Sequence, residues 1–467
     1  MTKSVAIIGA GMGGLAAALR LAQHGFEVRV FEASAGPGGL ASSLEIGGLS
    51  FDAGPYILLD RDGLEWAFEQ LALNLTSSIT LKRIEHVYQV EVEDGPLVRV
   101  LADLDRTAQG FESLWPGTGA RYRRFVHSTA TIHQRLRSLL YVSPPAPGVL
   151  LRSGAWIHLP FLLRSLESVL RRARLPQSVI DALGIWTHVA GQTLAQAPSP
   201  LAFVPALIHT SGAFYPVEGI GAIPQALAKA AAAAGVAFHY GVRVKSIRCK
   251  DGRAHGIETV QGDYVAADAV LSNYGGVGTY LDLADVPQSV RDRLQRLPLQ
   301  SPGVCVYLAV RNPSEDLYLR FFLPGGGETC RLLVTPSAIA PHLERDGWWP
   351  ARLIAPMPYS LAQRGVEAQR EFLERVLAES WWREHVGEHR LLATRTPAEW
   401  SVRHNLYRES MNPVMTSRFM RAGRIAHRSP WVKGLYLAGS STHPGQWVSF
   451  CAISGILAAG KICEDFA

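Results

Sequence analysis

A glycine-rich turn at residues 9–14, G-A-G-M-G-G, limits the folds open to this chain more than any other feature. It follows a short apolar run at residues 5–8 and precedes an alanine- and leucine-rich stretch at residues 15–22. A second apolar run, residues 27–31, ends at Glu32. This order predicts a strand, a tight turn, a helix and a second strand, which together form the βαβ unit of a dinucleotide-binding α/β domain.

The individual residues of the turn suit a bound dinucleotide. Gly9 permits the tight turn, Gly11 lets backbone N–H groups approach a pyrophosphate, and Gly14 allows the helix to pack closely on the strand. Gly13 is also expected beside the cofactor, at the helix N-terminus, whose partial positive charge attracts phosphate. Glu32, 18 residues after Gly14, can accept hydrogen bonds from ribose hydroxyls. A turn without a ligand is the alternative, but these features together favour the dinucleotide.

A second glycine loop directly follows the ribose-binding acid. Residues 33–43 read A-S-A-G-P-G-G-L-A-S-S, and residues 51–55 read F-D-A-G-P. A domain that binds only a nicotinamide dinucleotide has no evident use for such a loop, whereas in glutathione-reductase-like flavoproteins it lets the chain pass close to the cofactor. FAD is therefore the predicted cofactor, and a flexible surface loop is the alternative interpretation. The cofactor-binding residues predicted in the two segments are Gly38, Gly39, Leu40, Gly54 and Pro55.

Further motifs extend over nearly the whole chain. They read Y-P-V-E-G-I-G-A-I-P-Q-A-L at residues 215–227, V-R-V-K-S-I at 242–247, A-D-A-V-L-S-N at 267–273 and G-L-Y-L-A-G-S-S-T-H-P-G at 434–445. Together with the N-terminal segments they resemble the FAD-dependent phytoene desaturase, carotenoid isomerase and retinol saturase family, within the amine-oxidase-like superfamily. The last motif is the most specific, because it looks like the flavin-ring loop of this group.

The resemblance implies an α/β fold in which a glutathione-reductase-like, FAD-binding Rossmann domain is interleaved with a substrate domain of mixed sheet and helices. Both domains are expected to be discontinuous in sequence. The resemblance divides the chain into an FAD-binding domain of residues 1–60, 218–280 and 430–467 and a substrate-binding domain of residues 61–217 and 281–429, with a helical, membrane-associating region at residues 130–180.

By the same resemblance, Val244 is expected to contact the adenine end of FAD through its backbone. The loop before the last helix is expected along the ribityl chain and the ring, and that helix points its N-terminus at the flavin pyrimidine. A helix N-terminus in this place stabilises negative charge on the reduced flavin. The cofactor-binding residues predicted in the loop and the helix start are Gly439, Ser440, Gly445, Gln446, Trp447 and Val448.

The chain departs from the family pattern at two positions near the flavin. Desaturases usually carry a basic residue immediately after the two glycines of the second loop, where this chain has Leu40. The sequence G-G-L-A-S-S looks more like the isomerase and saturase branches. Glu218 replaces the first glycine of a usual pair. It is either an acid or base near the flavin or a solvated turn residue.

Two side chains at the end of the chain are further candidates for catalysis. His443 is either a proton donor or a residue that shapes the loop backbone, and the second role suits a T-H-P-G sequence better. Trp447 either narrows the substrate tunnel over the ring or belongs to the core. The sequence contains no recognisable metal-ligand or Ser/His/Asp constellation, so no metal is expected.

The expected reaction is the oxidation of a long apolar polyene by a carotenoid-type desaturase, with hydride transfer to flavin N5 and oxygen or a quinone as the electron acceptor. Such a reaction needs placement of the substrate more than it needs a strong base, which matches the few catalytic side chains. A cis–trans isomerase or a saturase is the main alternative. A flavin amine oxidase and a non-catalytic prenyl-lipid carrier of the GDP-dissociation-inhibitor type are further alternatives.

Composition and charge bear on where the protein acts. Of 467 residues, 48% are hydrophobic and 18% are charged, which provides a large core, and the formal net charge is +6. Over residues 135–174, apolar and aromatic residues are interleaved with arginines. This pattern suits either a helix in the lipid headgroup layer or an amphipathic helix on the protein's own core. We expect an anionic membrane surface as a partner and no nucleic acid.

The N-terminus and the cysteines indicate the compartment. The first apolar run is too short for a signal peptide. Five cysteines stand apart from one another, which favours reduced thiols and a cytoplasmic protein. No uninterrupted apolar run is long enough to span a membrane. The expected location is therefore the cytoplasm, with peripheral attachment to the membrane.

Overall fold

The N-terminal segment forms the expected strand, helix and second strand, and later segments add strands that mostly belong to two large sheets. The computed structural model describes residues 2–143, 147–311, 313, 317–422 and 424–467. In chain order the strands are β1 (Ser4–Ile8), β2 (Glu27–Glu32), β3 (Ser43–Ile46), β4 (Leu49–Asp52), β5 (Leu81–Arg83), β6 (His86–Val92), β7 (Val98–Leu101), β8 (Phe214–Pro216), β9 (Ala237–Tyr240), β10 (Val244–Lys250), β11 (Arg253–Thr259), β12 (Tyr264–Ala266), β13 (Ala269–Ser272), β14 (Val304–Val310), β15 (Leu319–Leu323), β16 (Arg331–Val334), β17 (Trp349–Ala355), β18 (His389–Arg395) and β19 (Leu435–Leu437).

Helices connect these strands and cover the sheets. Most are short, and the longest two, α5 and α19, have 19 residues each. In chain order they are α1 (Met12–Gln23), α2 (Arg61–Gln70), α3 (Leu75–Ser78), α4 (Leu104–Leu114), α5 (Thr118–Leu136), α6 (Pro147–Arg152), α7 (Leu159–Leu162), α8 (Leu166–Arg172), α9 (Gln177–Val189), α10 (Phe203–Thr210), α11 (Ala222–Ala233), α12 (Gly276–Gly278), α13 (Gln288–Gln295), α14 (Tyr359–Ala362), α15 (Val366–Ala378), α16 (Ser380–Val386), α17 (Pro397–His404), α18 (Ser417–Ala422) and α19 (Val448–Phe466).

A five-stranded parallel sheet contains the N-terminal unit. Its strand order is β19-β13-β1-β2-β9, with β1 in the centre. The inner strands β1 and β13 are almost wholly buried, because the helices α1 and α19 pack on one face of the sheet and the antiparallel strands β10 and β11 pack on the other. Helix α1 packs against α11 and α19. All five strands come from the segments predicted to bind FAD, residues 1–60, 218–280 and 430–467.

A seven-stranded mixed sheet forms the second large layer. Its order is β18-β14-β17-β16-β15-β6-β7, and its neighbours are antiparallel except for the parallel pair β15 and β6. On β14, Val304, Val306 and Leu308 pack against the helices α15 and α16. Cys305 and Tyr307 point to the opposite face, as the period of two residues in a strand requires.

The two sheets together confirm the predicted α/β class with a parallel and a mixed sheet. The strands of the mixed sheet come from the segments predicted to bind substrate, residues 61–217 and 281–429. The three-stranded antiparallel sheet β10-β11-β12 comes from residues 218–280. The domain boundaries themselves stay a prediction.

The region predicted to be helical, residues 130–180, is a series of short segments rather than one long helix. After α5 come a 3₁₀ segment Arg137–Tyr141, then α6, a second 3₁₀ segment Ala155–His158, α7 and α8. The three residues 144–146 lie outside the described part. Within that part, no helix combines the length and the apolar composition that crossing a bilayer requires.

Candidate functional site

A long cleft lies between the carboxyl ends of the parallel strands and one face of the seven-stranded sheet. It encloses about 2420 Å³, including space open to solvent. Its lining includes the residues that follow β1, β2 and β13, and it includes Cys305, Arg352 and Arg395 from the mixed sheet. In open α/β sheets, ligands bind outside the carboxyl ends of the strands, so this cleft is the candidate site.

The glycine turn brings backbone close to backbone at the start of α1. Gly9 has a φ of +94°, which favours glycine. A Cβ on Gly14 would lie 2.1 Å from the carbonyl oxygen of Gly9, and a Cβ on Gly11 would lie 2.7 Å from Nδ2 of Asn273. Gly11 and Gly13 line the cleft beside the first turn of α1, where N–H groups have no intrahelical partner. The turn is therefore shaped to bind an anion.

Glu32 lies at the end of β2 and is 8% exposed. Its Oε2 accepts the N–H of Ala10 at 2.8 Å, and its Oε1 accepts the N–H of Ser34 at 2.7 Å. A carboxylate has about four acceptor positions, so both oxygens can accept further hydrogen bonds from a ligand. The carboxylate also fixes the turn relative to β2, which gives Glu32 a structural task in addition to the predicted one.

The C-terminal loop and α19 form the far end of the cleft. Gly439 and Ser440 line it, as do Gln446, Trp447 and Val448 at the start of α19. A Cβ on Gly455 would lie 2.1 Å from the carbonyl oxygen of Gly13. The start of α1 and the middle of α19 therefore touch backbone to backbone, which fixes the two helix N-termini on the same cleft.

A buried cluster of polar side chains holds the backbone of the T-H-P-G loop by hydrogen bonds. Ser454 Oγ accepts the N–H of Gly439 at 2.9 Å and lies 2.5 Å from Thr442 Oγ1. The ring of His427 lies 2.9 Å from the carbonyl oxygen of His443 through Nε2. Burial lowers the pKa of His427 to about 3, and the positive charge of Lys461 contributes in the same direction. The neutral ring thus donates to the loop.

Asp52 of the F-D-A-G-P segment connects the two sides of the cleft. Its Oδ1 accepts the N–H of Ile220 at 2.8 Å, and its Oδ2 accepts the hydroxyl of Tyr215 at 2.8 Å. Arg352 on β17 donates through Nη1 to the backbone oxygen of Asp52 at 2.6 Å. Burial raises the pKa of Asp52, against the effect of the Arg352 charge. The flavin-side segment is thereby fastened to the mixed sheet.

Asp60 is a second buried carboxyl group in the cleft lining, 6% exposed. It is the N-cap of α2, where Oδ1 accepts the N–H of Gly63 at 3.2 Å, and Oδ2 accepts the hydroxyl of Ser449 at 2.9 Å. Burial raises its pKa, and the two hydrogen bonds oppose that shift. A buried carboxyl with a raised pKa, next to the start of α19, is suited to accept or donate a proton.

Most of the predicted cofactor-binding residues lie along this one cleft. Gly14 and Gly445 do not line it, since both are packed against neighbouring backbone or side chains. Val244 lines one end, and Trp447, stacked on Phe450 at 4.9 Å, lines the other. The predicted residues that line the cleft are Gly9, Gly11, Gly13, Glu32, Gly38, Gly39, Leu40, Gly54, Pro55, Val244, Gly439, Ser440, Gln446, Trp447 and Val448.

Two of the three predicted catalytic residues lie outside the cleft lining. Glu218 is exposed in the turn after β8, so the solvated-turn interpretation describes it better than an acid or base in the cleft. The ring of His443 lies 2.8 Å from the carbonyl oxygen of Leu139. Burial and the Arg424 charge lower its pKa to about 4. His443 is therefore neutral and shapes the loop, as the T-H-P-G sequence suggests.

Several polar residues of the cleft carry only a weak signal in the sequence. Arg352 interrupts the apolar strand W-P-A-R-L-I-A, and such an isolated charge in a buried strand is the signal that could have found it. Asp60 belongs to D-R-D-G, which is typical of a helix N-cap. Nothing in the local pattern indicates that Arg395 and His404 line the same cleft.

The residues present fit a bound dinucleotide. The turn at residues 9–14 offers backbone N–H groups without side chains in the way, Glu32 keeps free acceptor positions, and the cleft continues from Val244 to the start of α19. Two helix N-termini meet the cleft, and both favour negative charge. Among the described residues no group of three or more His, Cys, Asp or Glu is arranged to hold a metal ion.

The fold and the cleft define an α/β protein with a dinucleotide site. The sequence pattern of the family described as flavin containing amine oxidoreductase matches residues 12–276, which is more than half of the chain, so the protein belongs to this family. It is a flavin-dependent oxidoreductase, and its cofactor is FAD. The resemblance to the amine-oxidase-like superfamily and the predicted cofactor are thus confirmed.

Two relatives match over nearly their full length. The chain is 27% identical to a zeta-carotene-forming phytoene desaturase of Myxococcus xanthus, covering 98% of this chain and 94% of that protein. It is 24% identical to a 4,4'-diapolycopene oxygenase of Methylomonas sp, covering 99% and 98%. The crystal structure of an oxidoreductase from Methanosarcina mazei has the same fold, with a TM-score of 0.68, 18% identity, and coverage of 99% and 100%.

Proposed function

We propose that the protein is an FAD-dependent desaturase that removes hydrogen from a long apolar polyene of the carotenoid class and forms a new conjugated double bond. The observation that carries this proposal is the continuity of the cleft, which joins the dinucleotide end to an apolar wall. That wall includes Trp186 and Val189 of α9, and Leu201 and Val204 just before and within α10. The relatives include a zeta-carotene-forming phytoene desaturase and a 4,4'-diapolycopene oxygenase, which agrees with such a substrate.

The proposed position of FAD follows from the cleft lining. The pyrophosphate is assigned to residues 9–14, the adenosine ribose to Glu32 and the adenine end to Val244, in a Rossmann-type arrangement. The flavin ring is assigned to the loop from Gly439 to the start of α19. Bound FAD supplies the two-electron oxidant. A lipophilic acceptor such as a quinone, or oxygen, removes the electrons from the enzyme afterwards.

The chain's own residues have three tasks in the proposed reaction. The apolar wall excludes water and orients the polyene, which is the main requirement for hydride removal. Trp186 is fixed for this task by edge contacts with Tyr88 and Phe321, whose ring centroids lie 5.5 and 5.7 Å from its own. Desaturation also releases a proton, and Asp60, a buried carboxyl group of the lining beside the start of α19, can accept it.

Anaerobic mixing of the FAD-loaded enzyme with a carotenoid precursor in liposomes tests the proposal. A desaturase bleaches the absorption band of oxidised FAD near 450 nm, and the product gains one conjugated double bond and loses two hydrogen atoms. Product that forms only with reduced FAD and keeps its hydrogen count indicates the isomerase alternative. Product that gains two hydrogen atoms indicates a saturase. Either of these outcomes contradicts the proposed desaturation.

A polyene oxygenase is the second candidate, because the matching relatives include a 4,4'-diapolycopene oxygenase of Methylomonas sp and a 4,4'-diaponeurosporene oxygenase of Staphylococcus haemolyticus. The two activities differ in the atoms of the product. Turnover under ¹⁸O₂ followed by mass spectrometry separates them, since an oxygenase places labelled oxygen in the polyene and a desaturase does not.

We also propose that residues 151–163 attach the protein to an anionic membrane surface. Large apolar side chains in this segment are exposed: Leu151 by 65%, Trp156 by 52%, Ile157 by 55%, Leu159 by 41% and Leu163 by 56%. Exposed Arg152 lies among them, and exposed Arg171 and Arg172 follow in α8. Apolar side chains beside cations suit the headgroup layer, and a lipid-dissolved substrate makes this location useful.

Flotation with liposomes that contain anionic lipid tests the attachment. The double change Trp156→Ser and Ile157→Ser removes two apolar contacts, each worth about 1.5–3 kcal/mol when fully buried, so the floated fraction should fall strongly. Val402→Ser is the matched control, since Val402 is 77% exposed on α17. Equal flotation of the double variant and the wild type, or no flotation of either, contradicts the proposed attachment.

A further inference from the structure

One face of the mixed sheet carries two arginines into the cleft. On β14, Cys305 pairs with Arg395 of β18 on one side and with Ile354 of β17 on the other. Arg352, two residues before Ile354, shares its face. Cys305, Ile354 and both arginines line the cleft. The register therefore places the guanidinium groups of both arginines on the side of the cleft that this sheet forms.

Arg352 is only partly satisfied by the protein. It is 4% exposed, and Nη1 donates to the backbone oxygens of Asp52 at 2.6 Å and Gly54 at 3.4 Å. Nη2 is buried and has no hydrogen-bond partner among the described residues. The carboxylate of Asp52 accepts from Tyr215 and Ile220 instead. One side of a buried guanidinium is thus left to whatever enters the cleft.

Arg395 also lacks a hydrogen-bond partner for part of its guanidinium group. It is 8% exposed, Nη2 donates to the carbonyl oxygen of Pro302 at 3.3 Å, and Nε has no partner within the described part of the chain. Its guanidinium carbon lies 4.1 Å from the ring centroid of Trp400, which holds the group in place. The ring centroid of His404 lies 4.0 Å from that of Trp400, and burial lowers the pKa of His404 to about 3. His404 is therefore neutral and adds no positive charge beside the two arginines.

These donors need an acceptor that the protein does not supply. Burying a charged donor without a hydrogen bond is unfavourable, so a ligand with oxygen acceptors is expected beside these two arginines. The cofactor phosphates have their own partners in the turn at residues 9–14 and the start of α1. The remaining lining near α9 and α10 is apolar, as Val189 and Val204 illustrate. A ligand that satisfies both parts is apolar along its length and carries oxygen at one end.

We propose that Arg352 and Arg395 form a binding site for an oxygen-bearing end group, a carboxylate or carbonyl, of the polyene substrate. This inference rests on the proposed function and narrows its substrate class from polyene hydrocarbons to polyenes with an oxidised end. Arginine suits this task, since its planar fork matches a carboxylate in two hydrogen bonds. Anchoring one end also determines which bond of the polyene lies at the flavin.

Binding of two matched ligands to the FAD-loaded enzyme tests the site. The ligands are a conjugated polyene hydrocarbon and the terminal carboxylic acid of the same chain length, both in detergent micelles, and the readout is quenching of protein fluorescence. We expect the wild type to bind the acid at least tenfold more tightly than the hydrocarbon. A charge-assisted hydrogen bond corresponds to a factor of roughly ten to one hundred and fifty in affinity.

Three variants complete the experiment. Arg395→Met removes one donor, and Arg352→Lys keeps the buried charge but loses the planar fork, so it avoids leaving Asp52 without a nearby cation. Each should lower affinity for the acid about tenfold or more and leave affinity for the hydrocarbon unchanged. Arg395→Met should also leave FAD affinity unchanged, because Arg395 donates to Pro302 and not to the flavin-side segment that Arg352 contacts. The exposed Arg99 on β7 provides the control, and Arg99→Met should behave as the wild type.

The outcomes that would overturn the inference are distinct. Equal affinity of the wild type for hydrocarbon and acid leaves the polyene proposal intact and removes the end-group site. Loss of FAD affinity in Arg352→Lys and Arg395→Met, with unchanged preference for the acid, shows that the cofactor is the acceptor. Failure of the wild type to bind either polyene overturns the proposed function and this inference with it.

Discussion

The buried polar groups on the two sides of the cleft differ in how many of their hydrogen bonds the protein itself supplies. On the parallel-sheet side, Glu32 accepts two backbone N–H groups, and Ser454 joins Gly439 and Thr442 in one cluster. On the mixed-sheet side, Arg352 and Arg395 each keep a buried nitrogen without a partner among the described residues. Both sides are equally well buried, so solvent access does not explain the difference.

The contrast indicates which side is complete before ligands bind. A polar group that already has its partners fixes a local geometry, whereas an unpaired buried group is satisfied only when a ligand arrives. We therefore expect changes on the parallel-sheet side to affect folding and FAD affinity, and changes on the other side to affect the substrate. The following experiments test this division, beginning with the largest expected effect.

Asp60→Asn tests whether a buried carboxyl group handles the proton. Asparagine keeps an acceptor for the N–H of Gly63, so the α2 cap and FAD binding should persist, while turnover should fall about 10²–10⁴-fold. Because the base must be ionised and burial raises the Asp60 pKa, wild-type turnover should rise with pH through that raised pKa. Asp62→Asn, at the neighbouring half-buried carboxyl group, is the control. A pH–rate profile that is the same for Asp60→Asn and wild type refutes the role.

Gly14→Ala should damage the parallel-sheet side most. Its Cβ would lie 2.1 Å from the carbonyl oxygen of Gly9, so the turn or α1 must shift. We expect a loss of about 3 kcal/mol in the free energy of unfolding, measured by urea denaturation, together with weaker FAD retention. Gly36→Ala is the matched change, because nothing lies within 4 Å of its Cβ position. Similar stability of the two variants would be inconsistent with the described turn.

Glu32→Ala should weaken FAD binding while substrate preference stays unchanged. A charged acceptor to a hydroxyl is worth about 1.5–3 kcal/mol, and the N–H groups of Ala10 and Ser34 also lose their partner. Glu32→Gln retains one acceptor oxygen and should give an intermediate affinity. Fluorescence titration of the apoprotein with FAD measures both. If Glu32→Ala retains FAD on dialysis as the wild type does, the ribose assignment is wrong.

His427 should make stability depend on pH. Its folded-state pKa is lowered to about 3 by burial, below the value of about 6.5 in the unfolded chain. The stabilisation is therefore present above pH 6.5 and is lost as pH falls towards 3. Between pH 7.5 and 5.0 the loss amounts to about 2 kcal/mol. Urea unfolding at both pH values should show at least this loss in the wild type and in His24→Gln, an exposed control, since the lowered pKa values of His404 and His443 add to it.

In His427→Gln the same comparison between pH 7.5 and 5.0 should show a loss smaller by about 2 kcal/mol than in the wild type. The variant is expected to be less stable at both pH values, because its side chain replaces a ring that bonds the carbonyl oxygen of His443. Only the difference between the two pH values is diagnostic. An unchanged difference would mean that the His427 ring becomes protonated in the folded protein.

The sequence predicts the parallel-sheet side far better than the mixed-sheet side. The turn at residues 9–14, Glu32 and the start of α19 belong to short contiguous motifs, and short motifs encode the local backbone that positions them. Arg352 and Arg395 come from different strands, 43 positions apart in the sequence. Their meeting depends on the pairing of β14 with both β17 and β18, which no local pattern reveals.

The catalytic candidates show the same limit. Glu218 and His443 belong to motifs that suggest proximity to a flavin. Glu218 is nevertheless exposed in a turn, and the ring of His443 contacts the carbonyl oxygen of Leu139 outside the cleft lining. Asp60, which the cleft does contain, lies in an ordinary helix-capping sequence. A motif indicates that a segment approaches the cofactor, but the direction of each side chain depends on packing between distant segments.

The sequence by itself determined the βαβ start, the glycine turn beside Glu32, and the α/β class, because these depend on periodicity and on positions that suit only glycine or a carboxylate. Only the tertiary structure decided which polar groups are buried in the cleft and which of them keep their partners. The reason is physical: hydrogen-bond satisfaction and pKa shifts arise from burial among segments that are far apart in the chain.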